Sequence, residues 1–402
     1  MKRISYVLTL LVTLGYSPLA LAQDKPFITS LDTADLTPAQ SKALNDIRQL
    51  PTTQESTIVR ADAAALMQNA QVEIPLPGRG AVTVATSDRS VLSDRGFVLA
   101  GRTESNDSVA VGDGSVGLST FSVNGDSVTG SIQTETGLFR IRPLGGGAHV
   151  LFKVGTFPSE HPSNEPLNGG GDRQDLPPLK LKSMQDRGLT EVTVLVAFTP
   201  AVANLVPDIQ GLVDLAFVET NTSYANSGVY IKVVPATPKP VSTNYQESGS
   251  FDADLAALKN KNDGKMDELQ TLRNQIRADV VVLLINNGSS CGLASDILGN
   301  KESAFAVVYY DCATGNYSFG HEIGHIQGAR HNPEVDPTPS PFAYGHGFMD
   351  ATRNRRSVMS YDCPNHCTRL PQWARPDEWG NSDVSNDARV LNETRDMIAG
   401  FR

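Results

Sequence analysis

Residues 321–331 read His-Glu-Ile-Gly-His-Ile-Gln-Gly-Ala-Arg-His. His321 and His325 stand four apart, so on a helix both imidazoles leave one face and can reach a single metal ion. Glu322 follows the first of them. There its carboxylate can hydrogen-bond a water in an open fourth position and take its proton, which zinc makes acidic enough to lose at roughly pH 7. Gly328 explains how a third ligand arrives. Glycine enters the left-handed region at little steric cost, so it can end the helix and turn the chain sharply back towards His331. The spacing predicts one zinc ion per chain on His321, His325 and His331, with Glu322 as general base and one position left open. A bare pair of histidines around a glutamate would be a far weaker signal, since a satisfied helix face can produce it.

Downstream lies Ser357-Val358-Met359-Ser360-Tyr361. The eleven-residue motif followed by this methionine resembles the metzincin metallopeptidases, which carry a methionine-containing turn beneath the metal. The resemblance implies that Met359 is an apolar floor under the imidazoles and no ligand. Tyr361 falls where astacin-like and serralysin-like enzymes place a tyrosine, which implies a phenol able to donate to the developing oxyanion. Taken alone, Met359 reads as a core residue and Tyr361 as a core or surface tyrosine.

Residues 192–200, 221–228, 291–294 and 312–331 resemble the bacterial peptidyl-Asp metalloendopeptidases. That resemblance implies cleavage on the amino side of aspartate, which requires a cation in the pocket receiving the residue after the scissile bond. Arg369 follows the methionine turn, and Arg353, Arg355 and Arg356 precede it. An arginine fork suits a carboxylate, but surface arginines are common and the sequence does not say which one acts. Arg369 and Arg356 are the leading candidates.

The rest of the chain organises around this motif. Lys2 and Arg3, an apolar run over residues 4–14 and the triplet Ala20-Leu21-Ala22 predict a secretory signal peptide over residues 1–22, hence an extracellular protein. Thr37-Pro38 starts a helix over residues 37–50. Short alternating runs at 81–85, 96–100, 127–132, 138–141 and 148–154 predict an all-β module. It resembles a propeptide of reprolysin-type enzymes at Gly130-Ser131-Ile132 and Gly137-Leu138-Phe139-Arg140-Ile141. Residues 158–178, rich in Pro, Gly, Asn and Asp, read as an exposed linker. From residue 190 strand and helix patterns alternate: strands at 192–198, 229–234 and 278–285, an edge strand at 304–310, and helices at 200–225, at 251–277 with Gly264 as a point of interruption, and at 386–398. The expected architecture is an α/β metzincin-like domain with a mostly parallel twisted sheet (186–402), preceded by a β-rich propeptide (23–185).

A net charge of −10 and a pI near 5.2 argue against nucleic acid as a partner and suit solubility. No segment after the signal is apolar for long enough to imply stable membrane association. The four cysteines, Cys291, Cys312, Cys363 and Cys367, favour disulfides in an exported chain. The preferred pairing is Cys291 with Cys312 and Cys363 with Cys367, against a second zinc site on Cys363, His366 and Cys367. Acidic residues such as Asp252 and Asp254 offer calcium ligands or plain solvated turns. His149 and His161 read as structural or solvated, and His346 as a loop histidine.

Expected partners are protein or peptide substrates, with the propeptide as intramolecular inhibitor. That segment has no cysteine, so a thiolate on the zinc is excluded; Asp126 and Asp172 are carboxylate candidates for the same task. The rival readings are a metzincin with another specificity and a secreted binding or adhesion protein that keeps a zinc fold without catalysis. Glu322 speaks against the latter, because a structural site closes all four positions and needs no such carboxylate.

Overall fold

The computed structural model describes residues 25–93, 96–104, 117–162, 188–377 and 379–402. The signal-peptide segment, Asp172 and linker residues 163–178 lie outside the described residues.

The N-terminal module holds β1 (Ile28–Ser30), α1 (Pro38–Arg48), β2 (Thr53–Ala61), α2 (Ala63–Gln68), β3 (Gln71–Pro75), β4 (Ala81–Ser93), β5 (Gly96–Glu104), β6 (Leu118–Asn124), β7 (Ser127–Thr134), β8 (Gly137–Gly145) and β9 (Ala148–Val154). Thr37 caps α1 in a capping box with Gln40, which stops the helix where Thr-Pro placed its start. The strands form one sheet in the order β1-β2-β9-β8-β7-β6-β5-β4-β3, antiparallel throughout. The β structure begins well before the first expected run at 81–85, because β2 joins it despite its polar Thr-Gln-Glu-Ser start. Packing of Ile58 and Val59 carries that strand.

The C-terminal module runs β10 (Thr190–Phe198), α3 (Pro200–Leu205), α4 (Ile209–Asn226), β11 (Ile231–Pro235), β12 (Val241–Ser242), α5 (Phe251–Lys259), α6 (Asp267–Ile276), β13 (Val280–Ile285), β14 (Gly292–Ala294), β15 (Phe305–Tyr309), α7 (Ser318–Ile326), β16 (Met349–Asp350), β17 (Arg355–Arg356), β18 (Thr368–Arg369) and α8 (Asp387–Ile398). Here β10 pairs in parallel with β11, β12 and β13, β13 pairs in parallel with β15, and β14 closes the edge antiparallel to β15. All six residues of β13 are buried, as a strand covered on both faces requires. Each such aliphatic side chain contributes roughly 1.5–3 kcal/mol on leaving water. Over the whole chain antiparallel pairing predominates, since the nine-stranded sheet outweighs the smaller one.

Three expectations need correcting. Residues 304–310 do not form an edge strand: β15 is flanked by β13 and β14, and the edge belongs to the three-residue β14. The long helix expected at 200–225 is two. Asp208 caps α4 after a break, whereas the separation of α5 from α6 by residues 260–266 contains the interruption point Gly264. The start of the expected linker is no exposed tether, for Glu160 and His161 are 4% and 3% exposed.

The modules meet across buried polar contacts. Arg140 of β8 pairs with Asp311 at 2.9 Å, Thr52 donates to the other oxygen of that carboxylate at 2.5 Å, and Arg142 donates to Thr314 at 3.1 Å. Asn124 donates to Asp208 at 3.1 Å. Residues 158–161 then run onto the free edge of the smaller sheet, where the Cys291 and Gly292 amides donate to the Ser159 and Glu160 carbonyls at 2.8 and 2.9 Å.

Candidate metal centre

Helix α7 is buried along its whole length, so its polar side chains face a sealed interior. Gly324, between the two histidines of the helix, is there for space. A Cβ at this position would lie 2.6 Å from Trp373 and 3.0 Å from the Met359 sulfur. Glycine therefore lets the methionine turn press against the helix just below its histidines. The helix ends as its motif demands: Gly328 has φ of +104° and its amide donates to the His325 carbonyl at 2.8 Å. The chain then returns, and the Asn332 side chain accepts from the Tyr361 amide at 2.9 Å, tying the ligand loop to the turn.

Four imidazoles converge. Between Nε2 atoms, His321–His325 measures 3.1 Å, His321–His331 3.3 Å and His325–His331 3.1 Å. His161 adds its own Nε2 at 3.0 Å from that of His325 and 3.4 Å from that of His321. A zinc ion with Zn–N bonds of ~2.0–2.1 Å in a tetrahedron needs nitrogens roughly 3.3–3.4 Å apart, so the donor set fits this metal. Burial depresses all four histidines, His325 to about 4 and the others well below their usual value. All four are held neutral, which is the ligating form. His321 Nδ1 lies 2.8 Å from the Val358 carbonyl and His325 Nδ1 2.9 Å from the Ala329 carbonyl. A carbonyl only accepts, so His325 Nδ1 carries the proton and its Nε2 keeps a lone pair for the metal; His321 Nδ1 lies also 3.0 Å from Arg369 Nη2, which only donates, so its two neighbours favour opposite tautomers.

Around the cluster, Glu322 is fully buried, and among the described residues no side chain pairs with its carboxylate, which has only the Ala294 backbone beside it. Burial first, then the charge of Glu160, push its pKa well above the usual range. A divalent cation alongside would act in the opposite sense. Met359 is fully buried beneath the helix. The Tyr361 ring sits 4.5 Å from that of His331, centroid to centroid.

Arg356 and Arg369 face each other as register partners on the parallel strands β17 and β18, 6% and 5% exposed. Arg369 Nη1 donates to Glu160 Oε1 at 2.5 Å and to the Asn316 carbonyl at 2.8 Å. Arg356 Nη1 lies 4.0 Å from the same Glu160 oxygen. Burial and the neighbouring Arg369 lower Arg356 to about 10. Of the other two candidates, Arg353 is exposed beside Asp350 and Arg355 is half-buried.

Several sequence readings change. His161 is neither a linker nor a solvated histidine; it stands in the buried four-histidine cluster that could hold a metal ion. No periodicity could reveal this, because its partners lie some 160 residues away. The only hint was a Glu-His pair just after the last strand of a segment without cysteine. Asp126 is exposed in the turn between β6 and β7, and its charge acts on His149 and Asp208. His346 is buried and its Nδ1 donates to the His331 carbonyl at 2.8 Å, fixing the ligand loop. The Cys291–Cys312 and Cys363–Cys367 disulfides are present, which removes the alternative zinc site, and His366 turns to Asp362. Asp254 accepts from Tyr245 and Ser248 at 2.8 Å each, so its carboxylate supports a helix start. Among the described residues, the four histidines are the one metal-binding group of three or more His, Cys, Asp or Glu side chains.

Comparison with known proteins adds a family. Residues 189–373 match the Metallo-peptidase family M12. The chain is 37% identical to a peptidyl-Asp metalloendopeptidase of Stenotrophomonas maltophilia (strain K279a), over 97% of both chains. It is 42% identical to one of Xanthomonas campestris pv. campestris, over 69% of this chain and 68% of that one. It is 37% identical to one of Pseudomonas fragi, where 46% of this chain matches 100% of the relative.

Proposed function

The chain belongs to the family of the bacterial peptidyl-Asp metalloendopeptidases, and on that premise we propose that it is an exported zinc endopeptidase cutting protein chains on the amino side of aspartate. The observation that carries this reading is the convergence of His321, His325 and His331 Nε2 atoms beside a buried carboxylate, Glu322, that no side chain among the described residues pairs.

Zinc on the three imidazoles would act as a Lewis acid towards the scissile carbonyl and would acidify a bound water. Glu322 takes the proton from that water and returns it to the leaving amine. Tyr361 donates to the developing oxyanion. Burial, then the Glu160 charge, push its pKa up to about 12, so the phenol keeps its proton at every working pH. The Ala329 carbonyl holds His325 in the ligating tautomer, the Val358 carbonyl and Arg369 orient the His321 ring, and His346 steadies the loop of His331. Met359 closes the floor. Arg369, with Arg356, receives the carboxylate of the residue after the scissile bond.

We assign residues 1–22 to export and residues 23–185 to an inhibitory propeptide removed at maturation. Support comes from the way residues 158–161 lie across the cleft, and from the Pseudomonas fragi relative, whose whole length is matched by less than half of this chain.

The test is metal analysis of the purified matured protein together with hydrolysis of denatured casein, with and without a zinc chelator. One zinc per chain and chelator-sensitive hydrolysis are expected. A zinc-replete matured protein that hydrolyses nothing would overturn the enzyme reading in favour of a binding protein.

A further inference from the structure

Two consecutive residues of the N-terminal module enter the cleft and take different targets. The His161 imidazole completes the ring of Nε2 atoms. The Glu160 carboxylate goes sideways into a socket built entirely by the C-terminal module. There it accepts from Arg369 at 2.5 Å, from the Asn316 amide at 3.0 Å and, on its other oxygen, from Ser318 at 3.2 Å. Arg356 stands behind at 4.0 Å.

We propose that Glu160 and His161 form a two-point latch: His161 is the fourth ligand of the zinc, and Glu160 stands in for the acidic side chain of a substrate in its recognition pocket. This deepens the reading of an aspartate-directed zinc endopeptidase and rests on it. A buried guanidinium is costly unless it is paired, and the carboxylate that pairs Arg369 belongs to the segment that maturation removes. The socket itself remains afterwards, with its cation and two neutral donors, ready for another carboxylate. Aspartate from a substrate is the same group on a side chain one methylene shorter.

The geometry also explains why the latch is not cut at once. An enzyme selecting the bond before an acidic residue would select Ser159–Glu160. The Ser159 carbonyl oxygen instead accepts from the Cys291 amide at 2.8 Å, on the sheet edge. The imidazole of the following residue takes the open coordination position of the metal site. Substrate-like recognition is thus combined with a bond held in an unproductive place.

The test has two arms. In the first, the hexapeptide Phe-Pro-Ser-Glu-His-Pro, residues 157–162, is added to the matured enzyme. It should inhibit. Replacing its Glu by Gln, or its His by Ala, should each raise the inhibition constant about ten- to hundredfold, as loss of a charge-assisted bond or a metal ligand would. Against matured Arg369→Met enzyme the Glu and Gln peptides should inhibit alike. In the second arm, full-length protein carrying Glu322→Gln is loaded with cobalt(II) and treated with acetohydroxamate. The visible spectrum should not change while His161 is present, and should change once His161→Ala is added. Equal inhibition by the Glu and Gln peptides, or a hydroxamate response with His161 in place, would overturn the latch while leaving the zinc protease intact. Failure to bind zinc or to cut protein would instead sink the underlying reading.

Discussion

Arg140 of the N-terminal module and Asp311 of the C-terminal module form an ion pair of 2.9 Å with side chains 0% and 2% exposed. Asp311 precedes Cys312, whose disulfide reaches Cys291 at the start of the edge on which residues 159 and 160 lie. The same few residues therefore fasten the modules and frame the cleft. Removing the arginine leaves Asp311 buried and short of its countercharge, a loss of about 3–5 kcal/mol. Arg140→Ala is expected to make the full-length chain much more susceptible to limited trypsin digestion between the modules. Digestion at the parental rate would show that the pair does not hold them together.

Glu322→Gln keeps the size of the side chain and removes its basicity. Peptide hydrolysis should fall by about 10²–10⁴-fold, the contribution typical of a positioned general base, while zinc content stays unchanged. If maturation is self-catalysed, the same variant should accumulate as precursor; processing at the normal rate would assign that step to another protease.

Tyr361→Phe removes one donor and leaves the ring against His331. A donor used only towards the oxyanion should cost on the order of 10²-fold in kcat with little change in KM. A rise in KM at constant kcat would make Tyr361 a substrate-binding residue instead.

His149 gives the account a pH dependence. Its Nε2 accepts from the Val128 amide at 2.9 Å, and Nδ1 lies 3.0 Å from the Gly147 carbonyl, so the ring is neutral and fully used. Burial lowers its pKa from 6.5 to about 4; Asp126 opposes the shift and Arg60 adds to it. The unfolded chain binds this proton first. The stability contributed by His149 is therefore whole above pH ~6.5 and is lost as the pH falls to about 4, a drop on the order of 3 kcal/mol. Urea titrations of the zinc-loaded chain should show the parental protein losing more stability over that window than His149→Gln. Parallel curves for the two would refute the assignment.

The sequence was most informative where chemistry and local geometry coincide. The offsets between His321, His325, Gly328 and His331 are helix and turn arithmetic, so they could be read without knowing any neighbour. The apolar run of β13 and the Thr37 cap are local in the same sense. Arg369 and Arg356 could only be candidates, because what distinguishes them from Arg353 is burial beside Glu160, a relation set by strand pairing. His161 was missed for a similar reason. Its segment has no period, and its meaning comes from a sheet edge formed some 130 residues later, at Cys291 and Gly292.

The most direct test of the central claim is to map, by mass spectrometry, every bond the matured enzyme cuts in denatured casein, with a chelator control. Chelator-sensitive cuts concentrated on the amino side of aspartate are the expected result, and they should disperse or vanish in Arg369→Met. Chelator-sensitive cuts with no acidic residue after the scissile bond would contradict the account, leaving a zinc endopeptidase whose arginine socket does not choose the substrate.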